Sequence, residues 1–270
     1  MTTKLKRIAI LIAGADYSPK AFRNLKTGEV WGKSHNELME EDIEKIKRFL
    51  ETDIGGKWIE EEIICFPNVH NLKNDNLVNE VEKFLTDKYD YLFFYYVGHG
   101  TEDELGNEAM RFLINDERVS KELFVDGFKS FINRGGTNTY LAIMNFCRAS
   151  DTVPNINMPC DITLPTSFNE FKGDCNKYLN EIKMETGEKI VIYSTKKGCA
   201  SLFSDKGGVY FSECFLKAIL NWAKKSETGS VYRVSDVIND TNQLMSRLVG
   251  YQQKAEIEDD KFTRIPIAVK

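Results

Sequence analysis

Polar and apolar positions in this chain fall into alternating blocks of two kinds. Leu5 to Ala13, Trp58 to Phe66, Tyr91 to Val97, Thr139 to Phe146 and Lys189 to Thr195 are apolar runs of strand length, all too short to span a membrane. Glu37 to Leu50, Asn74 to Leu85, Lys121 to Ile132, Val209 to Lys224 and Val234 to Val249 instead repeat their apolar residues at helical spacing. Strands alternating with helices predict an α/β fold, a doubly wound, mostly parallel sheet of about six strands with helices on both faces. Thr263 to Val269 reads as a last strand, which Pro266 confines to a sheet edge. Polar loops are expected at Tyr17 to His35 and Thr101 to Asn107, and a short strand or hairpin arm at Ala109 to Ile114. A single domain over 1–270 is expected. Its soft point is an irregular insertion or linker at 151–188, where Pro154, Pro159 and Pro165 precede a weak helical pattern around Phe168 to Ile182.

Tyr91 to Val97 is the most continuous of the apolar runs and reads as a central strand buried on both faces. It delivers Gly98-His99-Gly100 just beyond its carboxyl end, where open α/β sheets bind ligands. The strand ending at Phe146 delivers Cys147 in the same way, forty-eight positions on. A thiol reacts as its thiolate, so a histidine at a neighbouring strand end supplies the base that a cysteine nucleophile needs. The backbone N–H groups of Gly100 and Cys147 are candidate donors to a tetrahedral oxyanion. Taken singly, such a histidine reads more simply as a satisfied core or loop residue, and such a cysteine as packing. Their joint placement, in a chain with 3 histidines, is what points to a Cys–His dyad.

Composition narrows the partners. A net charge of −5, without a basic block interleaved with aromatics, argues against nucleic acid. The six cysteines, at 65, 147, 160, 175, 199 and 214, form no CxxC pair, which argues against a zinc site or a disulfide scaffold. A reducing, cytoplasmic setting is expected, with no cofactor, no metal and no membrane partner; the oligomeric state stays open. Lys4, Lys6 and Arg7 ahead of IAILIAGA imitate a short signal peptide, but the fold needs this stretch as a strand.

With the dyad in place, the chain resembles the caspase-like cysteine peptidases, including caspases, metacaspases and their bacterial relatives. The histidine box is Tyr96-Val97-Gly98-His99-Gly100 and the cysteine box Asn145-Phe146-Cys147-Arg148-Ala149-Ser150. Glu41 to Leu50 resembles the family's first helix. The likeness continues through Tyr193-Ser194-Thr195 with Gly198 and Ala200, through Gly208 to Ser212, and ends at Arg264-Ile265-Pro266. The resemblance implies an endopeptidase acting on proteins or peptides, with Cys147 as nucleophile, His99 as general base and acid, and the Gly100 and Cys147 amides as oxyanion hole. It requires no third side chain to orient the histidine.

Specificity is where the chain departs from parts of the family. No arginine lies in the expected stretch from Asn24 to Lys47, Asn145 replaces a glutamine, and Phe203 falls near an expected late arginine, so an aspartate-selective pocket is disfavoured. Asp42 matches an acidic pocket residue of metacaspases that cut after arginine or lysine, whereas Asn145 is neutral where those carry a second carboxylate. Asp42 and Asn145 are therefore the substrate-binding candidates, leaning to a basic residue before the scissile bond; the plainer reading of Asp42 is a charge stabilising a helix N-terminus. Arg148 reads most simply as a solvated loop residue. The insertion, with Lys172, Lys177 and Lys183, is either a site of self-cleavage or an ordered segment packing Phe168, Phe171 and Leu179 on the body. The competing function is a catalytically silent scaffold or regulatory module with the same fold.

Overall fold

The computed structural model describes residues 5–16, 22–23, 30–31, 33–67, 76–103, 105–114, 119–148, 168–204, 208–249, 253–258 and 263–270. Its centre is a six-stranded sheet in the order Glu256–Ile257, Lys189–Tyr193, Tyr140–Asn145, Tyr91–Val97, Arg7–Ala13, Ile63–Phe66. All neighbours run parallel except Glu256–Ile257, which closes one edge antiparallel to Lys189–Tyr193. The chain starts at Arg7–Ala13, steps to Ile63–Phe66 on one side, then crosses to Tyr91–Val97 on the other and continues outward. That reversal is a topological switch point, and it lies beside the strand that carries His99.

Among the described residues six helices cover the sheet: α1 (His35–Glu51), α2 (Asn76–Leu85), α3 (Val125–Gly135), α4 (Cys175–Met184), α5 (Tyr210–Lys225) and α6 (Val234–Leu248). Successive strand residues point to opposite faces. Ile8, Ile10, Ile12, Leu92, Phe94 and Tyr96 share a core with α2 and α3. Ala9, Leu11, Phe93 and Tyr95 share one with α1, α4, α5 and α6. Two covered faces explain why the strands read as unbroken apolar runs.

Several elements differ from the sequence expectation, each for a physical reason. The stretch expected to open α3 is instead a strand, Val119–Phe124, antiparallel to Glu108–Ile114. Leu123 and Val125 are buried and Phe124 is exposed, a period of two rather than of a helix. The His99–Glu102 strand pairs with the same Glu108–Ile114 strand, so Thr101 to Asn107 is largely a hairpin rather than a free loop. Trp58 to Phe66 is strand only from Ile63; a 3-10 turn at Glu60–Glu62 precedes it. Arg7 holds that turn, stacking on Trp58 while bonding Glu62 and the carbonyls of Gly56 and Lys57.

The last strand, Pro266–Val269, is not on the main sheet. It pairs antiparallel with Val231–Arg233 in a separate ribbon, with Pro266 at its first residue, where a missing N–H is tolerated. In the expected insertion, residues 168–188 contain α4, and Phe168, Phe171 and Leu179 pack against the core, the Phe168 ring 5.4 Å from that of Phe49. Residues 151–167 of it lie outside the described residues, as do most of the Tyr17 to His35 loop and the Phe203 side chain. No helix among the described residues is long and apolar enough to cross a membrane.

Candidate active site

Three strand ends converge. Gly14 N–H donates to the Val97 carbonyl at 2.8 Å and Gly98 N–H to the Asn145 carbonyl at 3.1 Å, so hydrogen bonding persists past the last residues of the strands. Val97 pairs with Asn145, which leaves His99 and Cys147 each two residues beyond that pair. Space at this junction is tight. A Cβ on Gly98 would lie 2.5 Å from the Tyr96 hydroxyl oxygen, and one on Gly100 would lie 2.6 Å from the Cys147 carbonyl oxygen. Glycine at 98 leaves room for the Tyr96 hydroxyl and Gly14, and glycine at 100 lets the histidine and cysteine strand ends touch.

His99 is half-buried, and its backbone is fixed twice. It pairs with Arg111 in the hairpin, and its carbonyl sits 2.7 Å from the Tyr96 hydroxyl, which is also 2.6 Å from the Arg111 carbonyl. The ring meets that of His35 edge to face, with centroids 6.0 Å apart. His35 is the first residue of α1, a helix set in place by a capping box between Ser34 and Glu37.

Cys147 is also half-buried. Its sulfur accepts from the Ser201 N–H at 3.2 Å, and its thiol donates to the Ser201 carbonyl at 3.6 Å. Burial pushes this thiol above its ordinary range, and the Ser201 amide opposes that rise. Ser201 continues inward, its hydroxyl donating to Asn145 Oδ1 at 2.9 Å. Asn145 Nδ2 donates to the Tyr95 hydroxyl at 3.1 Å, and Tyr95 in turn donates to Asp42 Oδ2. Ser212 donates to the other Asp42 oxygen.

Asp42, 1% exposed, therefore ends a buried chain of hydrogen bonds that starts at the candidate nucleophile. Desolvation pushes its carboxyl up to about 7, against the bonds from Ser212 and Tyr95. The helix begins at His35, two turns earlier, so the alternative reading of Asp42 as an N-terminal charge does not hold. Lys45 and Glu213 form an ion pair beside it, and burial pushes the Glu213 carboxyl up.

Arg148 corrects the sequence reading outright: it is 8% exposed. Its guanidinium bonds Glu108 at 2.6 Å, Glu256 at 3.1 Å and the Thr195 carbonyl at 3.2 Å, and stacks on Tyr193 at 3.8 Å. Its backbone is bridged to Cys199 and Gly198 at 2.9 and 2.7 Å. The planar fork thus ties the residue after Cys147 to three strands, and its backbone ties it to the 196–201 turn. A cavity of about 650 Å³ opens beside Arg148, lined by paired charges including Glu108, Lys129 and Glu256. Among the described residues no group of three or more His, Cys, Asp or Glu side chains is arranged to hold a metal ion.

Of the residues singled out by sequence, His99, Gly100, Cys147 and Asn145 meet at two adjoining strand ends, and Asp42 joins them through Tyr95. Sequence reasoning missed Ser201 and His35. Ser201 has no local signal, and His35 reads only as a residue near a helix start.

The fold is thus a mostly parallel sheet that presents His99 and Cys147 from adjoining strand ends. The family model of the caspase domain matches residues 6–266, and the chain belongs to that family of cysteine peptidases. The chain is similar to the crystal structure of caspase-1 from Spodoptera frugiperda, with 13% identity, coverage of 95% of this chain and 90% of that one, and a TM-score of 0.49. No curated protein matches it.

Proposed function

We propose that this protein is a cysteine endopeptidase in which Cys147 and His99 form the dyad. The observation that supports this most is the contact of the two strand ends, with Gly100 lying against the Cys147 carbonyl and Phe146. Burial keeps the resting thiol protonated, so attack on a peptide carbonyl needs a base, and His99 is the candidate within the adjoining strand end. In this mechanism the sulfur bonds to the carbonyl carbon while its proton passes to the imidazole. The oxyanion is held by the Gly100 and Cys147 amides, and the imidazolium then protonates the leaving amine. Water, deprotonated by the same imidazole, hydrolyses the thioester and restores the thiol.

Specificity falls to Asp42 and Asn145, which line the inner side of the network that reaches Cys147. A carboxylate has about four acceptor sites, so Asp42 retains capacity for a guanidinium or ammonium beyond the bonds from Tyr95 and Ser212. The reading is therefore cleavage after arginine or lysine. Self-cleavage between the fourth and fifth parallel strands belongs to the same proposal, with Lys172 as its site. Lys172 is 90% exposed, whereas Lys177 and Lys183 lie within α4, whose backbone a protease has to unwind.

The deciding experiment is hydrolysis of a peptide library varied at the residue before the scissile bond, by the wild type, Cys147→Ala and His99→Ala. Expected are cleavage after basic residues by the wild type and none by either variant, with all three unfolding cooperatively. Equal turnover by Cys147→Ala would overturn the mechanism. A second reading, a silent scaffold, draws on the engagement of the Cys147 thiol by Ser201, and it predicts no cleavage of any library member.

A further inference from the structure

Gln253 is buried, 2% exposed, and makes three hydrogen bonds, two to the Ser201–Leu202 segment that touches Cys147 and one to Ser194. Its Oε1 accepts from the Leu202 N–H at 3.1 Å. Its Nε2 donates to the Ser194 carbonyl at 3.0 Å and lies 3.4 Å from the Ser201 hydroxyl. Ser194 closes the triangle, its own hydroxyl 3.2 Å from that of Ser201 and its N–H on the Met144 carbonyl at 3.0 Å. One side-chain amide thus spans the end of the Lys189–Tyr193 strand and the Ser201–Leu202 backbone.

The anchor is itself held. Two residues on, Ala255 is clamped by Asn242 of α6, which accepts from its N–H at 2.7 Å and donates to its carbonyl at 3.0 Å. A chain of paired groups therefore runs from α6 through Ala255 and Gln253 to Ser201, and from Ser201 both to the Cys147 sulfur and to Asn145. We infer that Gln253 is a positioning residue, which sets the Ser201 backbone against the Cys147 sulfur and, through the Ser201 hydroxyl, the Asn145 side of the substrate pocket. This rests on Cys147 being the nucleophile.

The geometry has a direct chemical consequence. The Ser201 N–H is the donor on the sulfur, and a donor stabilises thiolate over thiol. Losing the three bonds of Gln253 frees Ser201 to move, so the thiolate loses its amide while the sulfur keeps its apolar surroundings. Of the charged or titratable side chains described above, His99 with His35 against it stands on the adjoining strand end, Arg148 beside Cys147 is ion-paired with Glu108 and Glu256 and stacked on Tyr193, and Asp42 with Tyr95 lies behind Asn145. None of them bonds Gln253.

The test is alkylation of the intact chain with iodoacetamide across pH, with labelling at each cysteine read by mass spectrometry. For Gln253→Ala the pH midpoint at Cys147 is expected to rise by about one unit, the worth of one hydrogen bond to a charged group, while the profiles of Cys65 and Cys175 stay in place. Cleavage of the best peptide falls about tenfold, mainly in kcat. Gln253→Glu provides a second variant should the alanine fail to fold. Its protonated carboxyl can donate to Ser194 as the amide does, so Cys147 reactivity relative to wild type is retained at acidic pH and lost as that carboxyl ionises. Cys147 profiles that overlay the wild type in a folded Gln253→Ala, or a Gln253→Glu that tracks the wild type at every pH, overturn the inference. Absence of peptide cleavage by the wild type instead defeats the peptidase reading and leaves the alkylation result legible.

Discussion

Gly100 and Phe146 are packed so closely that a Cβ on Gly100 would lie 2.0 Å from Cδ2 of the Phe146 ring. Phe146 has no room to retreat. It is fully buried, with the rings of Tyr96 and Tyr193 at 6.0 and 6.2 Å. The contact is what brings the histidine strand end against the cysteine strand end.

Gly100→Ala should therefore cost stability and separate the two ends. Overpacking of this kind costs about 1–3 kcal/mol, seen as a lower urea midpoint at unchanged slope. Peptide cleavage should fall by more than about tenfold. A variant as stable and as active as the wild type would show that the junction is loose.

Arg148 serves stability first. Arg148→Met leaves Glu108, nearly buried, without its partner, and should cost about 3–5 kcal/mol. Adding Glu108→Gln should recover a substantial part of it, because the uncompensated charge is then gone. Arg148→Lys should recover little, since an ammonium cannot bond two carboxylates and a carbonyl while lying flat on Tyr193. Denaturant titration of the four proteins measures this.

Asp42 makes stability depend on pH. Its folded carboxyl titrates near 7 rather than 3.8 because burial disfavours the charge. The folded state holds the proton more tightly, so this stabilisation is complete below about pH 4 and is lost as pH rises through about 7, by up to about 1.4 kcal/mol per unit. Asp42→Asn should remove that slope. The same ionisation should raise the ratio of kcat/KM for an arginine substrate over its neutral citrulline analogue through pH 7, in the wild type alone.

Self-cleavage has a single expected site. Pure wild type should convert to two fragments that stay associated, cut after Lys172, while Lys172→Ala and Cys147→Ala remain whole. Sizing the chains by denaturing electrophoresis and mass spectrometry checks it. An active wild type that stays one chain would leave the ordered packing of Phe168 and Phe171 as the better description of this segment.

Much of this protein is written locally. The five parallel strands are apolar on both faces because both are covered, and that requirement shows as unbroken runs such as Tyr91 to Val97. His99 and Cys147 were legible for a related reason: a glycine-flanked histidine and a cysteine directly after such runs have to emerge at the ends of strands. The small elements were not legible. Val119–Phe124 became a strand because Glu108–Ile114 offered it a partner, and Pro266–Val269 left the main sheet because Val231–Arg233 offered another. Pairing is decided between distant segments, and nothing in six residues announces the partner.

The polar interior was the least legible part. Arg148 looks like any loop arginine until Glu108, Glu256 and the strand end carrying Tyr193 and Thr195 arrive from three separate places to surround it. Asp42 looks like one more charge on an amphipathic helix until α5 brings Ser212 to it and the central strand brings Tyr95. The sequence by itself determined the alternation of strands and helices, and with it which residues stand at the strand ends. Only the tertiary structure decided which buried polar groups satisfy one another, because burying a polar group is tolerable only with a partner, and that partner can come from anywhere in the chain.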